Sequence, residues 1–161
     1  MELLSISIRS EIEGLQIILA QSHFIKTVED VYESLVNSSP GIKFGLAFCE
    51  ASGPCLVRRQ GNDSRLEALS ADYALKIGSG HIVVVLIQNA YPINVLPHLR
   101  TVPEIVNIYC ATANPIDVIV AETQLGRSVL GVVDGSRPKG IETDKDVQDR
   151  KSFLREIGYK L

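Results

Sequence analysis

The stretch Ile82-Val83-Val84-Val85-Leu86-Ile87 decides how this chain of 161 residues is organised. Six consecutive apolar residues, most of them β-branched, leave no polar face, and the run is too short for a buried helix. The pattern predicts a central strand covered on both sides. The run is also far below the ~20 apolar residues that a bilayer span needs.

Working upstream, Gly78 stands where a helix-ending glycine is expected. The helix it closes is opened by Gly61-Asn62-Asp63-Ser64 and turns Leu66, Leu69, Tyr73 and Ile77 inward. Before it come a short strand over Cys55–Arg59, a loop over Glu50–Pro54, and a strand in which Ile42, Phe44, Leu46 and Phe48 alternate. Ser38-Ser39-Pro40-Gly41 stops a further helix with a stripe of Val28, Val31, Tyr32, Leu35 and Val36. Thr27 and Asp30 are spaced like a capping box at its start. Leu15, Ile17 and Leu19, and before them Leu4, Ile6 and Ile8, mark the first two strands.

Downstream, Pro97 limits a helix after Tyr91-Pro92 to a turn or two. Strands follow at Val106–Ala111, Ile116–Ala121 and Ser128–Val133. The last helix has its aspartates early and its cations late, as the helix dipole favours. Val147, Arg150 (by its stem), Phe153, Leu154 and Ile157 form its inward stripe. About eight strands and four helices interleave, which predicts an α/β (α+β) class. The expected architecture is one layered domain over residues 1–161, a mixed β-sheet packed with helices in which parallel and antiparallel pairs coexist.

Bulk properties narrow the partners. A net charge of −3 gives no broad attraction to nucleic acid or anionic membrane, although Arg58-Arg59 could line a pocket for a small anion. Met1-Glu2-Leu3-Leu4 lacks the basic start and apolar core of a signal peptide, so the expected location is cytoplasmic. Cys49, Cys55 and Cys110 lack metal-site spacing and read as three small buried hydrophobes, with redox chemistry at Cys49 and Cys55 the weaker reading.

Phosphate loops, zinc-protease motifs and nucleophile elbows are absent. Gly78-Ser79-Gly80 precedes a strand rather than a helix, the wrong order for a dinucleotide fingerprint. The suggestive stretch is Gln21 to Thr27, where a strand ends and a helix begins. Free helix-start amides, Lys26 and the hydroxyl of Thr27 could hold a phosphoryl group beside His23. The plainer reading is a strand-end histidine, a surface lysine and a cap. His81, at the mouth of the apolar run, is a second histidine to weigh against a core-edge role. Glu50 and Ser52 leave one strand end, while Asn114-Pro115 and Asp134-Gly135 are polar turns after others. Singly they read as turn residues; if the three loops meet, they form a polar pocket.

Seven segments carry a resemblance to a known family: QSHFIKTVEDVYESLV (21–36), PGIKFGLAFCEASGPCLVR (40–58), GND (61–63), YPINVL (91–96), YCATANPIDVIVAET (109–123), LGVVDG (130–135) and RKSFLREIGYKL (150–161). Running in order and nearly end to end, they resemble the adenosine-specific kinase family. The departures are mild: Ser22, Ser79 and Pro97-His98. The resemblance implies binding of adenosine or AMP rather than ADP or ATP, and a stably phosphorylated histidine. It also implies assembly as a trimer or a multiple of one, with sites near subunit boundaries. His23 is the first choice for the phosphorylated residue, with His81 in reserve and Lys26 assisting. Thr27, Glu50, Ser52, Asn114 and Asp134 are the expected substrate-binding set. Magnesium suits any phosphoryl transfer, but no carboxylate cluster demands it, and the phosphate donor is not named by the sequence. Two functions therefore stand side by side: a phosphotransferase acting through histidine, and an adenosine or AMP sensor without turnover.

Overall fold

Strands that are apolar on both faces have to be covered twice, and the fold is built around that need. The computed structural model describes residues 1–161. β5 (Ile82–Gln88) is buried from Ile82 to Ile87, β2 (Gln16–Gln21) from Gln16 to Ala20, and β3 (Lys43–Cys49) from Phe44 to Cys49. With β4 (Val57–Gly61) and β6 (Asn107–Thr112) at its edges, they form a five-stranded sheet in the order β4-β3-β5-β2-β6. A second sheet has the order β1-β7-β8, from β1 (Glu2–Ile8), β7 (Ile116–Glu122) and β8 (Arg127–Asp134).

The period of two along each strand divides the core. Ile17, Leu19, Val84 and Leu86 face the second sheet, through Ile8, Val118 and Val120, and α2 (Ser64–Ile77), through Tyr73, Ala74 and Ile77. Ile18, Phe44, Leu46, Val83 and Val85 face α1 (Thr27–Val36), through Val31 and Leu35, and α3 (Pro92–Leu99), through Val95 and Leu99. Truncating a fully buried residue of β5 such as Leu86 to alanine would cost ~2–5 kcal/mol.

The α/β class stands, in two sheets. All six ladders are antiparallel, and parallel pairing is confined to one isolated bridge, Ser79 to Arg127. The expectation of parallel pairs counted helices between strands as crossovers. Here α1, α2 and α3 do each cross between two strands that run the same way, but an antiparallel strand lies between each such pair: β5 between β2 and β3, β3 between β4 and β5, and β2 between β5 and β6.

Segment 61–63 is a structural clasp. Asn62 accepts from the Phe44 amide and donates to Ile42 O, both at 2.8 Å. Asp63 accepts the Arg65 and Leu66 amides and caps α2. Beneath it, a Cβ on Gly45 would lie 2.2 Å from the Glu67 nitrogen, so α2 rests directly on the β3 backbone. At the chain's end, α4 (Asp144–Glu156) is capped by Thr143 and Asp146 but buries no residue. Its expected inward stripe is a correction: the pattern is amphipathic, yet only Val147 and Leu154 are even half-buried.

Candidate functional site

Antiparallel pairing brings the end of β2, the end of β3 and the start of β5 to the same edge of the sheet. Two backbone hydrogen bonds pin the segments there: His81 N–H donates to Cys49 O at 2.8 Å, and Ser22 N–H donates to His81 O at 2.9 Å. Between them lies a recess of about 190 Å³ lined by His23, Phe24, Ile25, Phe48, Glu50, Ala51, Ser52 and His81. His23, Glu50, Ser52 and His81 of the sequence-derived set therefore meet.

Both imidazoles make aromatic contacts. His81 stacks on Phe48 with centroids 5.8 Å apart and planes 15° apart, and His23 lies at 6.4 Å from Phe24. His23 is exposed. His81 has φ +61°, a left-handed conformation that costs a bulky residue about 1–2 kcal/mol. Such strain in a cleft is a pointer to function, because only the surrounding structure holds it in place.

Glu50 anchors the rim. Its carboxylate accepts the Leu56 amide at 2.9 Å and pairs with Arg58 at 2.8 Å. The Leu56 N–H, and then the Arg58 guanidinium, hold its carboxyl below the usual range. The Arg58 Nε is buried and has no acceptor. The Ser52 hydroxyl sits on an exposed loop.

Lys26 and Thr27 take other places. Lys26 lines a neighbouring cleft of about 480 Å³ with Phe24, Arg58 and Arg59, so the basic pair does border a pocket. Its ammonium is tied to Asp30 and, at 3.0 Å, to Glu104, and these two bonds raise its pKa. Arg58 and Arg59 are paired too, with Glu50 and Glu67. Thr27 is fully buried; its hydroxyl meets Ser22 Oγ at 2.7 Å and donates to Phe24 O. The capping box is thus not formed: Lys26 is the N-cap, without a side-chain cap bond. The helix-start amides of Thr27 and Val28 donate to Phe24 O and Ile25 O. Tight turns satisfy them before any phosphate could.

The three polar loops do not all meet. Asn114 and Asp134 sit at the opposite edge, beside Thr112, which pairs with Ile17 at the start of β2. Asp134 accepts from Thr112 Oγ1 at 2.8 Å and Asn114 Nδ2 at 3.0 Å, closing a turn network. The residue that sequence reasoning missed is Glu104, a carboxylate buried after α3 that fixes Lys26 and keeps one oxygen unpartnered. Only Pro103 precedes it as a signal, and that reads as an ordinary loop.

No group of three or more His, Cys, Asp or Glu side chains is placed to hold a metal ion, and no helix is long and apolar enough to cross a membrane. The cysteines are unpaired. Cys55 is exposed, against expectation, because its loop leaves the sheet. Burial pushes the Cys49 and Cys110 thiols up to about 11, which leaves both protonated.

The family model described as "Adenosine specific kinase" matches residues 6–160. The crystal structure of PH1918 protein from Pyrococcus horikoshii OT3 is 48% identical, covers 99% of this chain and 98% of its own, and superposes with a TM-score of 0.95. No curated protein matches.

Proposed function

Because the chain belongs to the adenosine-specific kinase family, we propose that it transfers phosphate to adenosine through His23. The observation that carries the reading is the meeting of two histidines, Phe48, Glu50 and Ser52 in one recess. An exposed imidazole can act as a nucleophile toward phosphorus. In the transfer step a nucleoside hydroxyl oxygen bonds to phosphorus as the His23 N–P bond breaks. The hydroxyl proton ends on the departing ring nitrogen, directly or relayed by water, leaving neutral imidazole and AMP. His81, backed by the buried Phe48, and the exposed Phe24 offer aromatic surface to the base, and Glu50 and Ser52 offer polar partners to the ribose. Lys26, in the adjoining cleft, would supply positive charge on release from Asp30 or Glu104. Thr27 supports the segment from within, and Asn114 and Asp134 are left to their turn.

The recess is smaller than the ~300–1,000 Å³ of ordinary small-molecule pockets. Assembly into a homo-oligomer, a trimer or a multiple of one, is part of the proposal and would complete its walls. The expected setting is the cytoplasm, where free thiols such as Cys55 persist.

A second reading, a sensor of adenosine or AMP without turnover, draws support from the absent phosphate grip. Lys26 is occupied by two carboxylates, and the α1 amides are already bonded. Intact mass and peptide mapping near neutral pH separate the two. Phosphate on His23 that disappears on adding adenosine, with AMP formed, and is absent in His23→Ala, establishes transfer. A chain that never carries phosphate yet melts higher with AMP is a sensor.

A further inference from the structure

The largest unexplained surface is the C-terminal arm. From Ser136 to Leu161 every residue is exposed except Val147 and Leu154, which are half-buried. Neither apolar core includes a residue beyond Val132. Yet the arm is finished as a helix: Thr143 and Asp146 cap it, Arg150 pairs with Glu142 at 2.9 Å, and Lys145 pairs with Asp149 at 2.7 Å. Ile141, Phe153, Ile157, Tyr159 and Leu161 all stand exposed along it. A helix of this length is marginal in water by itself and is normally stabilised by burying its apolar face.

We propose that this arm is the assembly element, docking its apolar face on a second copy of the same chain. The proposal rests on the assembly part of the reading above and is independent of the histidine chemistry. Two observations commit it to that occupant. PH1918 matches over 99% of this chain at a TM-score of 0.95, which leaves no room for an arm placed elsewhere. An arm with so little hold on its own body would not keep one position in two proteins unless a surface common to both fixed it. The surface common to both is the chain itself.

Area agrees with this. Phe153 and Tyr159, each about half exposed, offer about half of the ~150–250 Å² that an aromatic side chain buries. The fully exposed Ile141 and Leu161, with half-exposed Ile157, bring one arm to roughly 500–600 Å² of apolar surface. Counting the matching area covered on the copy it docks against, each arm's contact reaches the lower end of the ~1,200–2,000 Å² range of specific interfaces. A patch of this kind on a lone soluble chain is large enough to mark an interaction site.

The test is sedimentation or light scattering of the full chain against the full-length double variant Phe153→Asp/Ile157→Asp, with circular dichroism on both. The expected result is an oligomer whose dissociation constant rises about a hundredfold or more in the variant, while the main thermal transition of the body is retained. Because the arm packs on neither core, loss of folding does not confound the result. An oligomer that the variant leaves intact overturns the role of the arm and spares the assembly reading. A wild-type chain that is monomeric at every concentration overturns both, and an arm then protected only by a different protein would name another occupant.

Discussion

At the edge of the five-stranded sheet where β2 and β3 finish, two imidazoles and a serine hydroxyl face a recess. At the other edge, where β2 begins and β6 finishes, an asparagine, an aspartate and a threonine face one another. The two edges lie roughly 17–20 Å apart along β2. In sequence they look alike: apolar strands running into polar turns. The difference is in how the polar groups are used. Asp134 spends its oxygen on Thr112 and Asn114, so the turn is closed and content. His81 is held by backbone bonds and its stack on Phe48, and His23 lies against Phe24, which leaves their ring nitrogens turned to other work. Polar residues mark a site when the fold declines to satisfy them, rather than when they are merely numerous.

Three substitutions probe that contrast. The largest effect is expected from Glu50→Gln, which removes the charge holding Arg58 and the Leu56 amide at the rim. Adenosine affinity, read by calorimetry, should fall about tenfold. A pH signature accompanies it. The Glu50 carboxyl is held below its ordinary value of 4.5, so its contribution to stability is complete above that value. It is lost as pH falls below 4.5 through the lowered value, because the unfolded chain binds the proton first. The variant should lack that part of the acid transition; an identical acid limb would show that Glu50 does not anchor the rim.

His81→Gly is expected to act on binding while nearly sparing the fold. Glycine relieves the left-handed strain of about 1–2 kcal/mol but adds its own entropy cost of about 0.5–1 kcal/mol and loses the stack on Phe48. Thermal stability should therefore change by no more than about 1 kcal/mol, while adenosine affinity falls about fivefold. A large loss of stability with binding intact would make His81 a structural residue. The smallest effect on binding belongs to Asp134→Ala. It should leave affinity within about twofold while lowering stability by about 1 kcal/mol, the worth of its hydrogen bonds. A tenfold loss of affinity there would erase the distinction between the edges within one chain, and would point to a site shared between copies.

Much of the fold was legible because several signals agreed at one place. β5 announced itself by having no polar face. α2 carried Asp63 at one end and Gly78 at the other, and both caps formed. The recess was half legible: His23, Glu50 and Ser52 were visible as strand-end chemistry, but their convergence depends on antiparallel pairing that no local pattern encodes. The same gap misplaced Asn114 and Asp134, whose turns could have lain at either edge. Thr27 failed for a different reason. A Thr-x-x-Asp spacing can be satisfied by a cap or by a tight turn, and the bond to Phe24 O won. The stripe of α4 was read correctly as amphipathic and wrongly as inward, since periodicity identifies a face without naming what covers it.

β1 has one ladder, and its partner is far away in the chain: Glu2 pairs with Glu122 and Ile8 with Ile116. A ribosome therefore releases β1 first and its only neighbour more than a hundred residues later, an interval of roughly 5–20 s at ordinary elongation rates. Throughout that time the first strand is an open edge with alternating apolar residues, the kind that pairs with other chains when left unattended. The five-stranded sheet, whose last strand ends at Thr112, can close while β1 waits. The growing chain thus carries an adhesive first strand until β7, which follows β6 closely, has been made, and so meets its main risk of wrong pairing before the fold is finished.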